Sequence, residues 1–256
     1  MVASMAVGPR VNADRRFFTG MALAMAAAVF VGFAPTYFLA AFNEAPRPQL
    51  TANIHIHGAL CAAWILLLAV QTGLIAARRP DVHRLMGTVG VVLGAAILVM
   101  GFIVATGAGR RVHTAANAGT LADPYVFLMF PLAAVSLFAM FAGLGVAYRR
   151  RPEIHKRLML LATMSLIGPA LARISSRMML AVSDPGTAFV SVPGAIGGLV
   201  LINLFLAALV IYDLKTRGRL HPATLWGGGF LLLSEPLRIM IAHSQPWQHL
   251  ARALMS

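Results

Sequence analysis

Two heptapeptides in this sequence each set an imidazole among cations: RRPDVHR at 78–84 and RRPEIHK at 150–156. Arg-Arg-Pro, an acid, a β-branched residue, His and a second cation thus occur twice, 72 residues apart. Neutral imidazoles projecting from helices ligate metals and b-type heme. His83 and His155, equivalent positions of one repeat, are therefore a candidate axial pair. An architectural reading covers the same residues. Arg-Arg holds a loop at anionic headgroups, Pro takes the first position of the next helix, and Asp81 or Glu153 sits where the helix dipole favours a negative charge.

Other residues could also do chemistry. His57, Trp64, Gln71 and Arg78 recur every seven residues, one narrow stripe on a helix that could line a cofactor or polar channel, or simply close a helix seam. His55 points roughly 200° away from His57 on a regular helix, so the two cannot share a ligand. Arg173 and Arg177 are four apart and share a face, where two like charges call for an anion such as a carboxylate substrate or heme propionates. The structural alternative pairs Arg173 with Glu235 and lets Arg177 snorkel to headgroups; Glu235 could also pair with Arg238 on its own helix. His57 with His243 and His249 could hold zinc in a membrane hydrolase. His243 and His249 are six apart with Pro246 between, which departs from the spacing that puts two ligands on one helix face.

The elements that must position these groups are set by composition. Of 256 residues, 59% are hydrophobic and 11% charged, against about 25% charged in soluble domains, and mean hydropathy is +0.79. Seven apolar runs, about 17–40, 52–77, 85–106, 124–148, 157–181, 190–212 and 223–242, each reach the roughly 20 residues that cross a bilayer as a helix. The expectation is an all-α polytopic bundle of about seven transmembrane helices forming one integral domain over 1–256, with helices 2–3 and 4–5 a parallel repeat. The first run exceeds a signal-peptide core and reads as a retained helix. The run before Pro236 is weakened by Gly227, Gly228 and Gly229.

Fourteen of the 21 cations fall on one side if the helices alternate, which places the N-terminus in the cytoplasm and the C-terminus outside a bacterial inner membrane. The net charge of +13 lies between apolar runs and not along a soluble face, so nucleic acid is excluded as a partner. The partners expected are anionic lipid headgroups at the cytoplasmic loops, with a membrane complex or a second copy open. Cys61 is the single cysteine, so no intrachain disulfide forms. Only Lys156 and Lys215 could form a Schiff base, and neither lies mid-membrane, which excludes a retinal protein. P-loop, GxSxG and HExxH motifs are absent.

HIHGALCAAWILLLAVQ is followed by RRPDVHRLMG, then RRRPEIHKRLMLLATMSLIGPALAR, then NLFLAALVIYDLKTR. This order resembles the bacterial membrane-protein family catalogued as domain of unknown function 2306, over roughly 53–215. The matching positions are His57, His83 with Arg84 and Gly87, His155 with Met159, Arg173, and Asn203 with Leu204. Leu158 departs from the aromatic often found there in the family. The resemblance implies a helical membrane fold with histidines on its helices, loosely similar to transmembrane b-type cytochromes, and no defined activity. Three readings follow from the residues: a heme b or metal-binding redox protein, a non-catalytic accessory or sensor protein, and a metal-dependent membrane hydrolase.

Overall fold

The computed structural model describes residues 9–42, 50–117, 123–180 and 192–255, and among these there is no strand. The helices are α1 (Pro9–Phe33), α2 (Ala52–Ala76), α3 (Pro80–Asn117), α4 (Pro124–Ala147), α5 (Pro152–Leu166), α6 (Gly168–Leu180), α7 (Val192–Arg217), α8 (Pro222–Ala242) and α9 (Gln245–Met255). Six are long and apolar enough to cross a membrane, and α5 with α6 adds a seventh span bent by 52°. The chain is an all-α membrane bundle.

A shift of 72 residues carries the first residue of α2 onto that of α4, and Pro80 of α3 onto Pro152 of α5. Proline starts both second helices because its missing N–H has no acceptor in a first turn anyway. In both, the amide four positions into the chain bonds back to the residue before Pro: His83 to Arg79 at 3.1 Å and His155 to Arg151 at 2.9 Å. The turns differ in one respect. Arg78 closes α2 with φ +59°, a left-handed cap in which the Arg79 N–H reaches back to the Leu74 carbonyl at 2.8 Å.

The expected continuous helix at 157–181 is broken. Pro169 has no N–H for the Ser165 carbonyl, so the ladder stops; Ile167 then accepts from Ala170 and Leu171 at 3.0 and 3.1 Å and starts α6 afresh. The redirected α6 packs backbone to backbone on its neighbours: a Cβ on Gly32 of α1 would lie 2.6 Å from the Ala170 carbonyl oxygen, and one on Gly198 of α7 would lie 2.9 Å from the Ala172 nitrogen. α8 is continuous through Gly227–Gly229 and Pro236. Its glycines are contact points, since a Cβ on Gly227 would meet Leu161 at 2.6 Å and one on Gly228 would meet Leu206 at 2.7 Å.

α3, about 57 Å long at 1.5 Å per residue, runs past the expected 85–106. Its far end meets α9, an amphipathic helix outside the expected spans. There Trp247 Nε1 donates to the Tyr125 carbonyl at 2.8 Å, and Arg110 donates to the carbonyls of Leu254 and Met255.

Near the Arg-Arg-Pro turns the bundle is locked by charge. Arg157, one of the fourteen cations that the alternation count puts on the turn side, is 1% exposed, and Asp213 of α7 is 0% exposed. Arg157 Nε donates to Asp213 Oδ1 at 3.1 Å, and its Nη2 donates to the same oxygen. Asp213 also accepts from the His221 N–H at 3.1 Å and the Thr224 hydroxyl. Around this pair Glu153 accepts from Lys156, Arg157 and Arg217 at 2.6–3.0 Å. Lys156 reaches Asp14 of α1 at 2.7 Å, and Asp14 also accepts from the Tyr212 hydroxyl. His221 caps α8 by accepting from the Ala223 N–H at 3.1 Å. Burial, with Arg157 and Arg217 beside it, holds its imidazole below the ordinary pKa of 6.5, which suits a ring nitrogen that must stay an acceptor.

Removing one member of a buried, fully bonded ion pair costs about 3–5 kcal/mol. Asp213→Ala should lose that much in denaturant unfolding of the detergent-solubilised protein. Arg217→Ala, on the partly exposed side of the same network, should lose no more than about 1 kcal/mol.

Candidate functional site

α3 and α5 start side by side, and each carries its histidine at the fourth helical position. The His83 and His155 rings face each other with centroids 6.2 Å apart and planes at 88°. His155 Nδ1 lies 2.8 Å from the Gly145 carbonyl oxygen of α4, which fixes it as the N–H nitrogen and leaves Nε2 as an acceptor. A backbone carbonyl in this role is how ligand histidines are oriented. His83 lies beside the backbone of Gln71 in α2, and its Nδ1 is buried without a hydrogen-bond partner. Each histidine thus turns toward the preceding helix of its own hairpin, and the two meet between the hairpins.

The stripe on α2 faces the interior and is matched by a stripe on α3. His57 Cε1 lies 3.8 Å from where a Cβ on Gly101 would sit. Trp64 lies 3.5 Å from the same point on Gly94, and Gln71 Nε2 lies 3.8 Å from it on Gly87. Three large polar or aromatic side chains at heptad spacing on one helix therefore lie over three glycines at heptad spacing on its antiparallel neighbour, and at Gly101 the Val135 side chain of α4 comes closer still, at 2.8 Å. The middle position is tightly built. Trp64 is 4% exposed, stands edge-on to Phe138 at 4.8 Å and donates from Nε1 to Thr163 Oγ1 at 3.2 Å. The two outer positions are less satisfied: His57 Nδ1 and Gln71 Oε1 are buried without partners. His57 Nε2 has only a long contact of 3.6 Å to Cys61 Sγ. His55 points away and meets the Tyr37 hydroxyl at 3.2 Å.

The arginines of α6 are placed elsewhere. Arg177 donates to the carbonyls of Val31, at 3.2 Å, and Gly32. These are carbonyls of α1 where Pro35 interrupts the ladder and the chain widens into a π-helical stretch, Ala34–Phe38. Arg173 donates to the Pro169 carbonyl at 3.0 Å and stacks over Phe33 at 4.4 Å. The expected Arg173–Glu235 bridge is not among the ion pairs of the described residues. The bend before α6 turns Arg173 toward α1, while Glu235 accepts from Asn203 Nδ2 at 3.1 and 3.3 Å. Arg238 instead bonds Ser234 on its own helix. Neither α6 arginine lies at the histidine pair.

His243, expected beside His57 at a metal, is exposed and its Nδ1 lies 2.8 Å from the Ile239 carbonyl oxygen. Among the described residues no three His, Cys, Asp or Glu side chains stand close enough to hold a metal ion. The three-histidine zinc set is therefore not gathered among the described residues, whereas the His83 and His155 rings stand as a close pair. Comparison with protein-family models, curated proteins and solved structures finds no match.

Sequence reading found the α2 stripe but missed its glycine counterpart. The signal was present: Gly87, Gly94 and Gly101 repeat at the same interval of seven. If the notches seat the stripe, Gly94→Leu should displace Trp64 and lower the folded yield severalfold in detergent. Gly73→Leu, on the same hairpin with open space at its Cβ, should leave yield near the parent's. Size-exclusion profiles of the two variants check this.

Proposed function

We propose that the chain is a redox protein of the bacterial inner membrane that holds a b-type heme between His83 and His155. The observation that carries this reading is the ring pair. The two rings stand 6.2 Å apart with perpendicular planes, near enough that His83 and His155 would together hold one metal centre. The residues present fit such a group. His83 and His155 would hold the heme iron through one ring nitrogen each, whereas a catalytic zinc needs three protein ligands. His83 Nδ1 and Gln71 Oε1, both on the α2–α3 hairpin, are buried without partners, and the exposed arginines of both turns would supply positive charge for two propionates.

When bound, the heme supplies one-electron chemistry. The protein's own part is orientation and exclusion. The Gly145 carbonyl fixes the His155 tautomer, Gln71 occupies the Gly87 notch beside His83, and Trp64 with Phe138 seals the seam above the pair. The positive-inside count supports an orientation with the two Arg-Arg-Pro turns, and hence the pair, at the cytoplasmic face and the N-terminus inside. We also propose membership of the domain of unknown function 2306 family. His57, Gly87 and His155, three of its motif positions, are seam or pair residues here, and Asn203 is the partner of Glu235.

Protein purified from heme-supplied cells should show a Soret band, a low-spin bis-imidazole spectrum and a pyridine hemochrome near one heme per chain. His83→Ala and His155→Ala should each abolish all three, while His57→Ala should keep them. A colourless parent protein that fails to take up hemin, with no metal by elemental analysis, would sink this reading and favour an accessory or sensor role.

A further inference from the structure

We infer that the seam between α2 and α3 is a proton path across the bilayer, closed at its middle by Trp64. This goes beyond the cofactor reading and does not require it. The starting observation is cost. Within a bilayer every polar group must find a partner inside the protein, yet His57 Nδ1, Gln71 Oε1 and His83 Nδ1 are buried without one. All three belong to the same α2–α3 hairpin. Two of them sit over glycine notches: Gln71 over Gly87, with no other side chain within 4 Å of that notch, and His57 over Gly101, which it shares with Val135 of α4. Unsatisfied polar atoms in a line are what water and protons need, and chains of histidines at membrane depth act as relays.

The order along α2 sets the path. His57 lies toward the end of the bundle opposite the Arg-Arg-Pro turns. Trp64 follows one heptad on, Gln71 one more, and beyond Gln71 comes the turn end of the hairpin with the unpartnered Nδ1 of His83. The His57 imidazole accepts a proton on one ring nitrogen and releases one from the other, so charge and protons balance there. Gln71 cannot carry the proton, but its amide can order the water that does. The titratable groups of the described seam are His57, Cys61, His83 and His155. Asp81 and Arg84 stand exposed at its turn end, and Asp81 is paired with Arg79 at 3.3 Å.

At rest the path is interrupted. The indole fills the Gly94 notch, leans on Phe138 and is tethered to the Thr163 hydroxyl. Thr163 Oγ1 in turn donates to the Met159 carbonyl at 2.9 Å. Breaking the indole tether frees Trp64 to swing off Gly94, and the notch then joins the polar groups on either side.

The test uses the full-length protein in liposomes containing a pH-sensitive dye, with a valinomycin-imposed potassium potential as driving force. Wild-type vesicles should acidify about as slowly as empty ones. Trp64→Ala should raise the proton flux roughly tenfold or more, as expected of an opened relay, without releasing carboxyfluorescein. Adding His57→Leu and Gln71→Leu to Trp64→Ala should return the flux to baseline. Thr163→Val keeps the packing volume and removes the hydroxyl that tethers the indole, so it should also raise flux and serves if Trp64→Ala does not fold. Vesicles of Trp64→Ala and Thr163→Val as tight as wild type would overturn the inference. So would fast flux in wild type, or a leak that persists in the triple variant or passes the dye.

Discussion

A guanidinium and a carboxylate that are almost wholly removed from solvent set the geometry of this bundle. Arg157 and Asp213 join α5 to α7, and Asp213 extends the tie to α8 through the His221 N–H and the Thr224 hydroxyl. Positions two apart on a helix face roughly 200° from each other. With Arg157 drawn toward α7 and α8, His155 must turn toward α4, where it finds the Gly145 carbonyl, and toward His83 beyond. A buried ion pair contributes little net stability against a well-packed apolar alternative. Its effect here is on rotation: an apolar contact would tolerate α5 turning by part of a residue, whereas a guanidinium bonded to one carboxylate does not.

The second constraint is the lipid itself. Because hydrocarbon cannot satisfy polar atoms, the side chains that break this rule stand out. Arg177 is absorbed by α1 carbonyls and Glu235 by Asn203, and both serve packing. The α2–α3 hairpin keeps its unpartnered atoms, and the glycines opposite them make room where a side chain would have been easier to pack. The copy of that hairpin in α4–α5 has diverged: its turn closes without a left-handed residue, and its second helix breaks at Gly168–Pro169. What the two copies retain is the proline start and the histidine four positions in.

Much of this was legible in the sequence because hydropathy and proline act locally. The ends of α2, α4 and α8 follow from apolar runs bounded by Pro, Arg and Gly, and the interior face of α2 follows from the His57, Trp64 and Gln71 interval. The meeting of His83 with His155 was implied by the repeat. What escaped depends on long-range geometry. Pro169 within an apolar run gave no measure of the 52° bend, and that bend is what carries Arg173 to Phe33 and away from Glu235. Arg157 read as a loop cation because nothing local shows that Asp213, 56 positions on, will close over it. α9 has its apolar residues on one face of eleven, too short a run for hydropathy to register.

The Arg157–Asp213 pair aims His155 at His83. Cysteines at these two positions, His83→Cys with His155→Cys in a Cys61→Ala background, report on it directly through a short bismaleimide and mass spectrometry of the linked peptides. An intramolecular cross-link in high yield, largely lost when Asp213→Ala is added, is the predicted result. Absence of the link in the parent, or a link equally efficient without Asp213, would contradict it.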